Sequence, residues 1–376
     1  MPRNRLHILF ITKWYPSNED PQMAIFVKRH AEAVAKFAQV TVLHVSSSSV
    51  VADDLEIEKT DELTTIRAHW PKTTHPLFKL KRMFSAAKKA KEWMDAELPA
   101  VDLVHCHMLA RTAWIAQQLF SASPYMVTEH WTGYVNGKFE KLNPIRKISY
   151  RRLAKRAAAF TVVSHQLKNA LIGHGFRKDI EIIPNVVEVP NLERGKNEIT
   201  QIVTVADFHE RNKNISGILH AIAKLKEEFN FHWTIVGDGD DREEIQKLAE
   251  DLNLTDRVDF PGRIPQEEVH KTLADCDLLV VNSRFETFSM VTVEALMLGL
   301  PIIATRCGGP ENFVNSSNGF LIDTDDQEGL ENALRTFLKD PGQFDPESLK
   351  KSVDYTFSKE AVGQAFLNLY NSILNR

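Results

Sequence analysis

The run Asp277-Leu-Leu-Val-Val-Asn282, continuing as Ser283-Arg-Phe-Glu-Thr-Phe-Ser-Met-Val-Thr-Val-Glu-Ala-Leu-Met-Leu-Gly-Leu-Pro301 and Ile302-Ile-Ala-Thr305, decides how the second half of this chain folds. Asp277 to Asn282 is short and apolar, the pattern of a buried parallel strand. Met290 to Leu298 is rich in helix formers and meets a stop at Gly299-Leu-Pro301. Ile302 to Thr305 reads as the next strand. The unit is strand, loop, helix, strand, with Glu286 in the loop and Glu294 inside the helix. The first amides of a helix lack intrahelical acceptors and carry partial positive charge. Those around Phe288, Ser289, Met290 and Val291 are placed for a phosphate or diphosphate at the carboxyl edge of a sheet. Glu294 suits a ribose diol, and Glu286 reaches hydroxyls at the other end of the same ligand. A diphosphate between two hydroxyl-binding carboxylates describes a nucleotide sugar. Spacing alone also fits a solvated loop acid and a helix surface charge.

The rest of the second half alternates in the same way. Strands are expected at Ile202–Ala206, His232–Val236 and Val258–Phe260, with helices at Ile215–Glu227, Arg242–Asp251 and Glu267–Ala274. The first half repeats the theme. Its expected strands are His7–Thr12, Val40–Val45, Thr64–His69, Leu103–His107, Tyr125–Thr128, Phe160–Val163 and Ile180–Pro184. Its expected helices are Ala24–Phe37, Pro76–Glu97, Thr112–Leu119, Pro144–Ala157 and Gln166–Ile172. Alternation of this kind means α/β architecture, a parallel sheet with helices on both faces. Between the halves, Pro184 to Asn197 holds two prolines and no periodicity, and reads as a hinge. Phe357 to Leu374 is an amphipathic helix with Ser358 as N-cap. The expected domains are 1–185, 186–355 and a terminal helical segment, 356–376.

Length and composition agree. A chain of 376 residues suits two domains, and 43% hydrophobic with 26% charged residues is a globular composition. No apolar run approaches the ~18 residues that span a bilayer. The N-terminus enters a strand directly and lacks a signal-peptide pattern. Three scattered cysteines, Cys106, Cys276 and Cys307, suggest neither a disulfide framework nor a zinc site. A cytoplasmic protein is expected.

The landmarks Gly262-Arg-Ile, Asn282-Ser283, Phe285-Glu286, Phe288, Glu294-Ala295, Gly299-Leu-Pro301 and Gly308-Gly-Pro-Glu311 occur in one order. Together they resemble the E-x7-E signature of retaining glycosyltransferases of family 4. That resemblance implies the GT-B fold, two Rossmann-like domains facing across a cleft, with the last helix returning to the first domain. It implies a retaining transfer from a UDP- or GDP-sugar to a glycan or lipid-linked acceptor, with no metal or other cofactor. Glu286 would position the donor sugar, and Arg263 and Ile264 would meet the base. Lys213 would neutralise the departing diphosphate, where charge develops. The family usually has an arginine where this chain has Asp207, and Arg211 is the candidate replacement. His130 matches the family histidine at the donor sugar or reacting centre, and His107 one lining the acceptor side. Both also fit the role of structural hydrogen-bonders at strand ends.

Other features are weaker. The loop Lys13 to Ala24 lacks the glycine the family places there, and its Trp14 and Tyr15 suggest contact with a sugar face. Gly237-Asp-Gly-Asp-Asp241 reads as a strand-to-helix turn and Asp275-Cys-Asp277 as a helix-to-strand turn, neither a metal site. Residues 1–185 carry 27 Lys+Arg against 17 Asp+Glu. Much of the excess lies in Lys79 to Lys91 and Arg146 to Arg156, where Phe78, Leu80, Met83 and Phe84 are interleaved. Peripheral contact with an anionic membrane surface is expected there, and no nucleic-acid partner. Two alternatives stay open: a non-catalytic nucleotide-sugar-binding scaffold, and a nucleotide-sugar epimerase.

Overall fold

The computed structural model describes residues 5–17, 20, 22–48, 55–353 and 355–375. Asn18, Glu19 and Pro21 of the first loop, Ser49 of the serine tract and Met1–Asn4 lie outside them. The chain divides into two compact units, one of residues 1–186 with 356–376, the other of residues 187–355.

In the first unit the chain runs β1 (His7–Thr12), α1 (Ile25–Ala35), β2 (Gln39–Ser48), β3 (Leu55–Lys59), β4 (Leu63–Pro71), α2 (Pro76–Glu97), β5 (Leu103–His107), α3 (Leu109–Leu119), β6 (Tyr125–Glu129), α4 (Pro144–Arg156), β7 (Phe160–Val162), α5 (His165–Gly173) and β8 (Glu181–Ile182). Among the described residues the sheet has the order β3-β4-β2-β1-β5-β6-β7-β8. Every pairing is parallel except β3 with β4. The antiparallel β3 is absent from the sequence reading. Its Leu-Glu-Ile-Glu-Lys is an exposed edge strand with acidic alternation, so it carries no buried-strand signal. Strand order reverses between β1 and β5, the position where ligands bind in open α/β sheets.

The second unit runs β9 (Thr200–Val205), α6 (Glu210–Lys213), α7 (Ile215–Leu225), β10 (Phe231–Val236), α8 (Arg242–Asp251), β11 (Val258–Gly262), α9 (Gln266–Asp275), β12 (Leu278–Val281), α10 (Met290–Met297), β13 (Ile302–Thr305), β14 (Gly319–Ile322), α11 (Gln327–Lys339) and α12 (Pro346–Lys351). The sheet order is β11-β10-β9-β12-β13-β14, all parallel. Elements β14, α11 and α12 are additions to the sequence reading, and α6 replaces part of an expected loop. Successive strand residues feed opposite cores. Ile202, Leu278, Val280 and Ile303 pack with α7 and α11 on one face. Val203, Leu279, Val281 and Ile302 pack with α9 and α10 on the other. Burial on both faces, about 1.5–3 kcal/mol per large aliphatic side chain, explains the unbroken Val/Ile/Leu runs.

The chain returns to the first unit as α13 (Lys359–Leu374), with the Ser358 hydroxyl accepting from the Ala361 amide. Val362, Phe366 and Tyr370 join Val27, Ala31 and Val34 of α1 in one core. The approach is close at Gly363, where an added Cβ would stand 2.3 Å from the Ala33 carbonyl oxygen. Alanine improves helix propensity by about 1 kcal/mol. Backbone oxygen cannot move aside, so overpacking of about 1–3 kcal/mol wins. Gly363→Ala is expected to lower the melting temperature, and an unchanged or raised value would refute that packing account.

The basic surface is only partly as expected. Phe78, Leu80, Ile145 and Ile148 are exposed. Met83 is buried, and Phe84 packs on Trp114 with ring centroids 5.2 Å apart. Those last two belong to the interior face of α2. Among the described residues no helix is long and apolar enough to cross a membrane.

Candidate active site

Chemistry in the second unit gathers at the carboxyl ends of β9, β12 and β13. Lys213 closes α6 after β9, and its ammonium pairs with Glu286 in the loop after β12. The same Glu286 oxygen accepts the Ser283 hydroxyl at 2.9 Å. The Glu286 amide donates to the Cys307 carbonyl at 3.1 Å, tying the loop to the segment after β13. Burial by itself would lower the Lys213 ammonium, but the carboxylate and its hydrogen bond outweigh that and raise it. An ammonium held charged at a strand edge is suited to a developing phosphate charge.

Arg284 was not among the sequence candidates and holds this pair in place. Its Nη1 donates to the Glu210 carbonyl at 2.7 Å, its Nη2 to Asn214 Oδ1 at 3.0 Å, and its Nε to Asp325 at 2.6 Å. Its amide adds a 2.7 Å bond to the Asn212 carbonyl. Asn282 donates to the Asn214 carbonyl at 3.0 Å. These bonds fix α6 and the left-handed Asn214 (φ 49°) after it. Position in the Ser-Arg-Phe-Glu run was the available signal. Distance in sequence hid the partners.

Helix α10 starts at Ser289, itself left-handed (φ 66°) and buried, with no side chain capping the helix. Ser289 Oγ bonds Thr292 Oγ1 at 2.7 Å instead. Met290 and Val291 supply the first amides, whose helical acceptors do not exist. The Phe288 ring is buried edge-on to Phe313, 5.1 Å between centroids, so only its backbone is offered to a ligand. Glycine is required behind this loop. A Cβ on Gly309 would lie 2.7 Å from the Phe288 carbonyl carbon and 2.9 Å from Glu286 Cβ.

Glu294 is 3% exposed, which removes the reading as a helix surface charge. Gln266 Nε2 donates to its Oε1 at 3.0 Å, and His270 Nε2 lies 3.6 Å away. Arg263 is exposed and stands 3.5 Å from Asp207, an exposed pair of small energetic weight. Ile264 is partly buried against the α9–α10 core. Arg211 is exposed on α6 and unpaired among the described residues.

In the first unit, His107 and His130, read as facing a ligand crevice at strand ends, are both closed in. His107 is fully buried and His130 is 7% exposed. His107 Nδ1 meets His130 Nε2 at 3.2 Å, and the rings stack at 18°. His30 of α1, absent from the sequence candidates, brings a nitrogen within 4.8 Å of both. His105 lies beneath, bonded to Tyr370 of α13 at 2.8 Å and Thr128 at 2.6 Å. Burial is the first cause that holds all four imidazoles below the ordinary histidine range, His30 at about 4. The two turns expected not to bind metal lie, as read, between β10 and α8 and between α9 and β12.

Two α/β units on largely parallel sheets are the architecture of the GT-B fold, and the comparisons with known proteins supply the class, a glycosyltransferase. Residues 192–356 match the family described as glycosyl transferases group 1, and residues 23–189 match glycosyltransferase family 4. The chain belongs to the family 4 glycosyltransferases. N-acetyl-alpha-D-glucosaminyl L-malate synthase of Bacillus anthracis is 28% identical over 300 residues, 74% of this chain and 77% of that protein. A lipopolysaccharide core biosynthesis glycosyltransferase of Rhizobium meliloti is 29% identical over 215 residues, 53% of this chain and 59% of that protein. Among solved structures, sucrose-phosphate synthase from Thermosynechococcus elongatus superposes with TM-score 0.81 at 22% identity, covering 99% of this chain and 100% of that one. Anabaena HepE, solved with UDP and glucose, gives 0.72 at 16% identity, covering 98% and 100%.

Proposed function

We propose that this glycosyltransferase moves a sugar, with retention, from a UDP- or GDP-sugar to a glycan or lipid-linked acceptor in cell-surface polysaccharide or glycolipid synthesis. The Lys213–Glu286 pair beside the uncapped start of α10 carries the reading. In it, the diphosphate lies on the amides of Met290 and Val291, Glu294 accepts from the ribose, and Arg263 and Ile264 border the base. Lys213, helped by Arg211, stabilises the departing diphosphate, and Glu286 orients the sugar. The acceptor hydroxyl attacks on the face the diphosphate leaves, and the diphosphate takes its proton. His130 is the candidate catalytic histidine of this reading. His107 has no exposed surface, so it acts by positioning His130 through their shared hydrogen bond.

Transfer needs no metal in this reading. EDTA is expected to leave the rate unchanged. The exposed apolar residues among the lysines and arginines of α2 and α4 support a membrane-borne acceptor. Recovery of the protein away from sedimented anionic vesicles would remove that part.

A thermal-shift series with UDP, GDP, ADP and their sugar conjugates tests the donor assignment. One nucleotide is expected to stabilise the protein, with the shift reduced in Glu294→Ala. Asp207 in the arginine's place favours the scaffold reading, in which nucleotide binds and no donor is consumed. Measured turnover separates the two.

A further inference from the structure

A cavity of about 230 Å³ opens in the first unit, lined by Lys13 and Trp14 after β1, Arg111 of α3, and Glu129 and Trp131 at the end of β6. A neighbouring cavity of about 270 Å³ shares Lys13, Trp14 and Arg111 and adds Lys79 of α2. Three cations therefore border two neighbouring cavities at the sheet's switch point. Among the described residues none of the three has a carboxylate partner. Arg111 Nη1 is shut off from solvent and, among the described residues, lacks a hydrogen-bond partner. Burial, then Arg111, then Lys79 push the Lys13 ammonium down, so its charge is disfavoured where it stands.

Glu129, the carboxylate in the lining of the first cavity, does not neutralise them. Its oxygens accept from the amides of Leu109 at 3.1 Å, His130 at 2.9 Å and Trp131 at 3.0 Å, and from the Tyr134 hydroxyl at 3.3 Å. Asp20, at the rim of the second cavity, accepts from the Gln22 amide at 3.1 Å. The first turn of α3 contains no acidic residue. Helix geometry leaves its next amides, those of Ala110 and Arg111, without helical acceptors. Two flat indoles, Trp14 and Trp131, form apolar walls beside this positive floor.

We propose that this cavity binds an anionic group, a phosphomonoester or a carboxylate, with Arg111 and Lys13 as its direct ligands and Lys79 in support. On the transferase reading, the group belongs to the acceptor and holds its hydroxyl in register while the indoles cover its carbon face. A guanidinium with a buried, unpaired nitrogen gains a charge-assisted hydrogen bond on binding and relieves the repulsion among the three cations.

The test is titration of the full chain with glycerol 3-phosphate, malonate and glycerol, read by tryptophan fluorescence and calorimetry, with phosphatidate and phosphatidylcholine vesicles as a second arm. Saturable binding of glycerol 3-phosphate or malonate but not glycerol is expected, weakened about tenfold or more in Arg111→Ala and in Lys13→Gln. Binding confined to phosphatidate vesicles, with the same dependence on Arg111 and Lys13, assigns the anion to a lipid. No saturable binding of any anion, equal binding of glycerol, or unchanged affinity in both variants overturns the proposal. Nucleotide-induced thermal shifts, measured on the same variants, are expected to match wild type and so show that they fold. Loss of nucleotide binding in the wild-type protein would sink the transferase reading while leaving the anion site standing, and the converse result would do the reverse.

Discussion

Glu286→Gln is expected to cut sugar transfer by about a hundredfold or more while leaving nucleotide-induced thermal stabilisation intact. Glutamine keeps the size of the side chain and can still meet the Ser283 hydroxyl, so the loop after β12 retains its anchor to Cys307. What disappears is the charge. Lys213 is 19% exposed at its side chain and Glu286 16%, so the ammonium would lose its partner in a place where water compensates only in part. The lost interaction is expected to cost about 1–2 kcal/mol of stability, less than the 3–5 for a fully buried pair. Lys213→Met in the same background should recover that stability and recover no activity, because the ammonium that stabilises the departing diphosphate is then gone as well. Loss of a single preorganised charge of this kind is worth about a hundred- to a thousandfold in rate. A variant that turns over at the wild-type rate would remove Glu286 from the chemistry. A variant that no longer responds to nucleotide would move it from the sugar to the nucleotide.

Acidification is expected to melt the first unit early. His30 and His44 are held at about 4, and His105, His107 and His130 are also pushed down, in each case first by burial. In the unfolded chain all five return to about 6.5. Above that value neither state binds the protons and pH has no leverage. Below it the unfolded chain binds protons that the native unit refuses, so stability falls with pH until the native sites themselves titrate, near 4 for His30 and His44. Each such group costs up to about 1.4 kcal/mol per pH unit. Glu129 is raised by burial and works in the opposite direction, one group against five. A loss of about 5 kcal/mol over the first unit below pH 6.5 corresponds to a drop of about 10–20 °C in melting temperature. Five of the six tryptophans, all but Trp233, lie in that unit, so tryptophan fluorescence follows its melting. A melting temperature that stays flat from pH 7 to pH 5.5 would show that the cluster opens or protonates in the native state. Replacing His107 and His130 by asparagine should flatten the pH slope if it does not.

Comparison of these two sites shows where sequence reading stops. Strands β1, β5 and β13 and helices α2 and α8 fall where hydrophobic runs and stop signals place them. The Glu286 loop and the Glu294 helix do so too, because strand, turn, helix start and helix stop are all written in neighbouring residues. Periodicity records which face of a segment is buried, and a helix N-terminus presents its amides whatever surrounds it. These local facts were enough to give two α/β halves and to put Glu286 in a loop and Glu294 in a helix, while the GT-B fold came from the resemblance.

Pairings between segments far apart in the chain had no such record. Nothing near Lys213 says that its partner lies 73 residues on, nor that Arg284 clamps α6 by reaching Glu210 and Asn214. Asp207 finds Arg263 across 56 residues, and His105 finds Tyr370 across 265. Exposed β3 alternates Leu55 and Ile57 with glutamates, but over too short a stretch and with too little burial to stand out. A lone histidine at a strand end looks the same in sequence whether it faces water or three other rings. Whether His107 is a ligand or a buried prop is decided by the parallel register of β5 and β6 and by α1 and α13 closing over that face. Sheet order and helix packing are sums over the whole unit, so charge partners, burial and pKa emerge only when the chain is assembled.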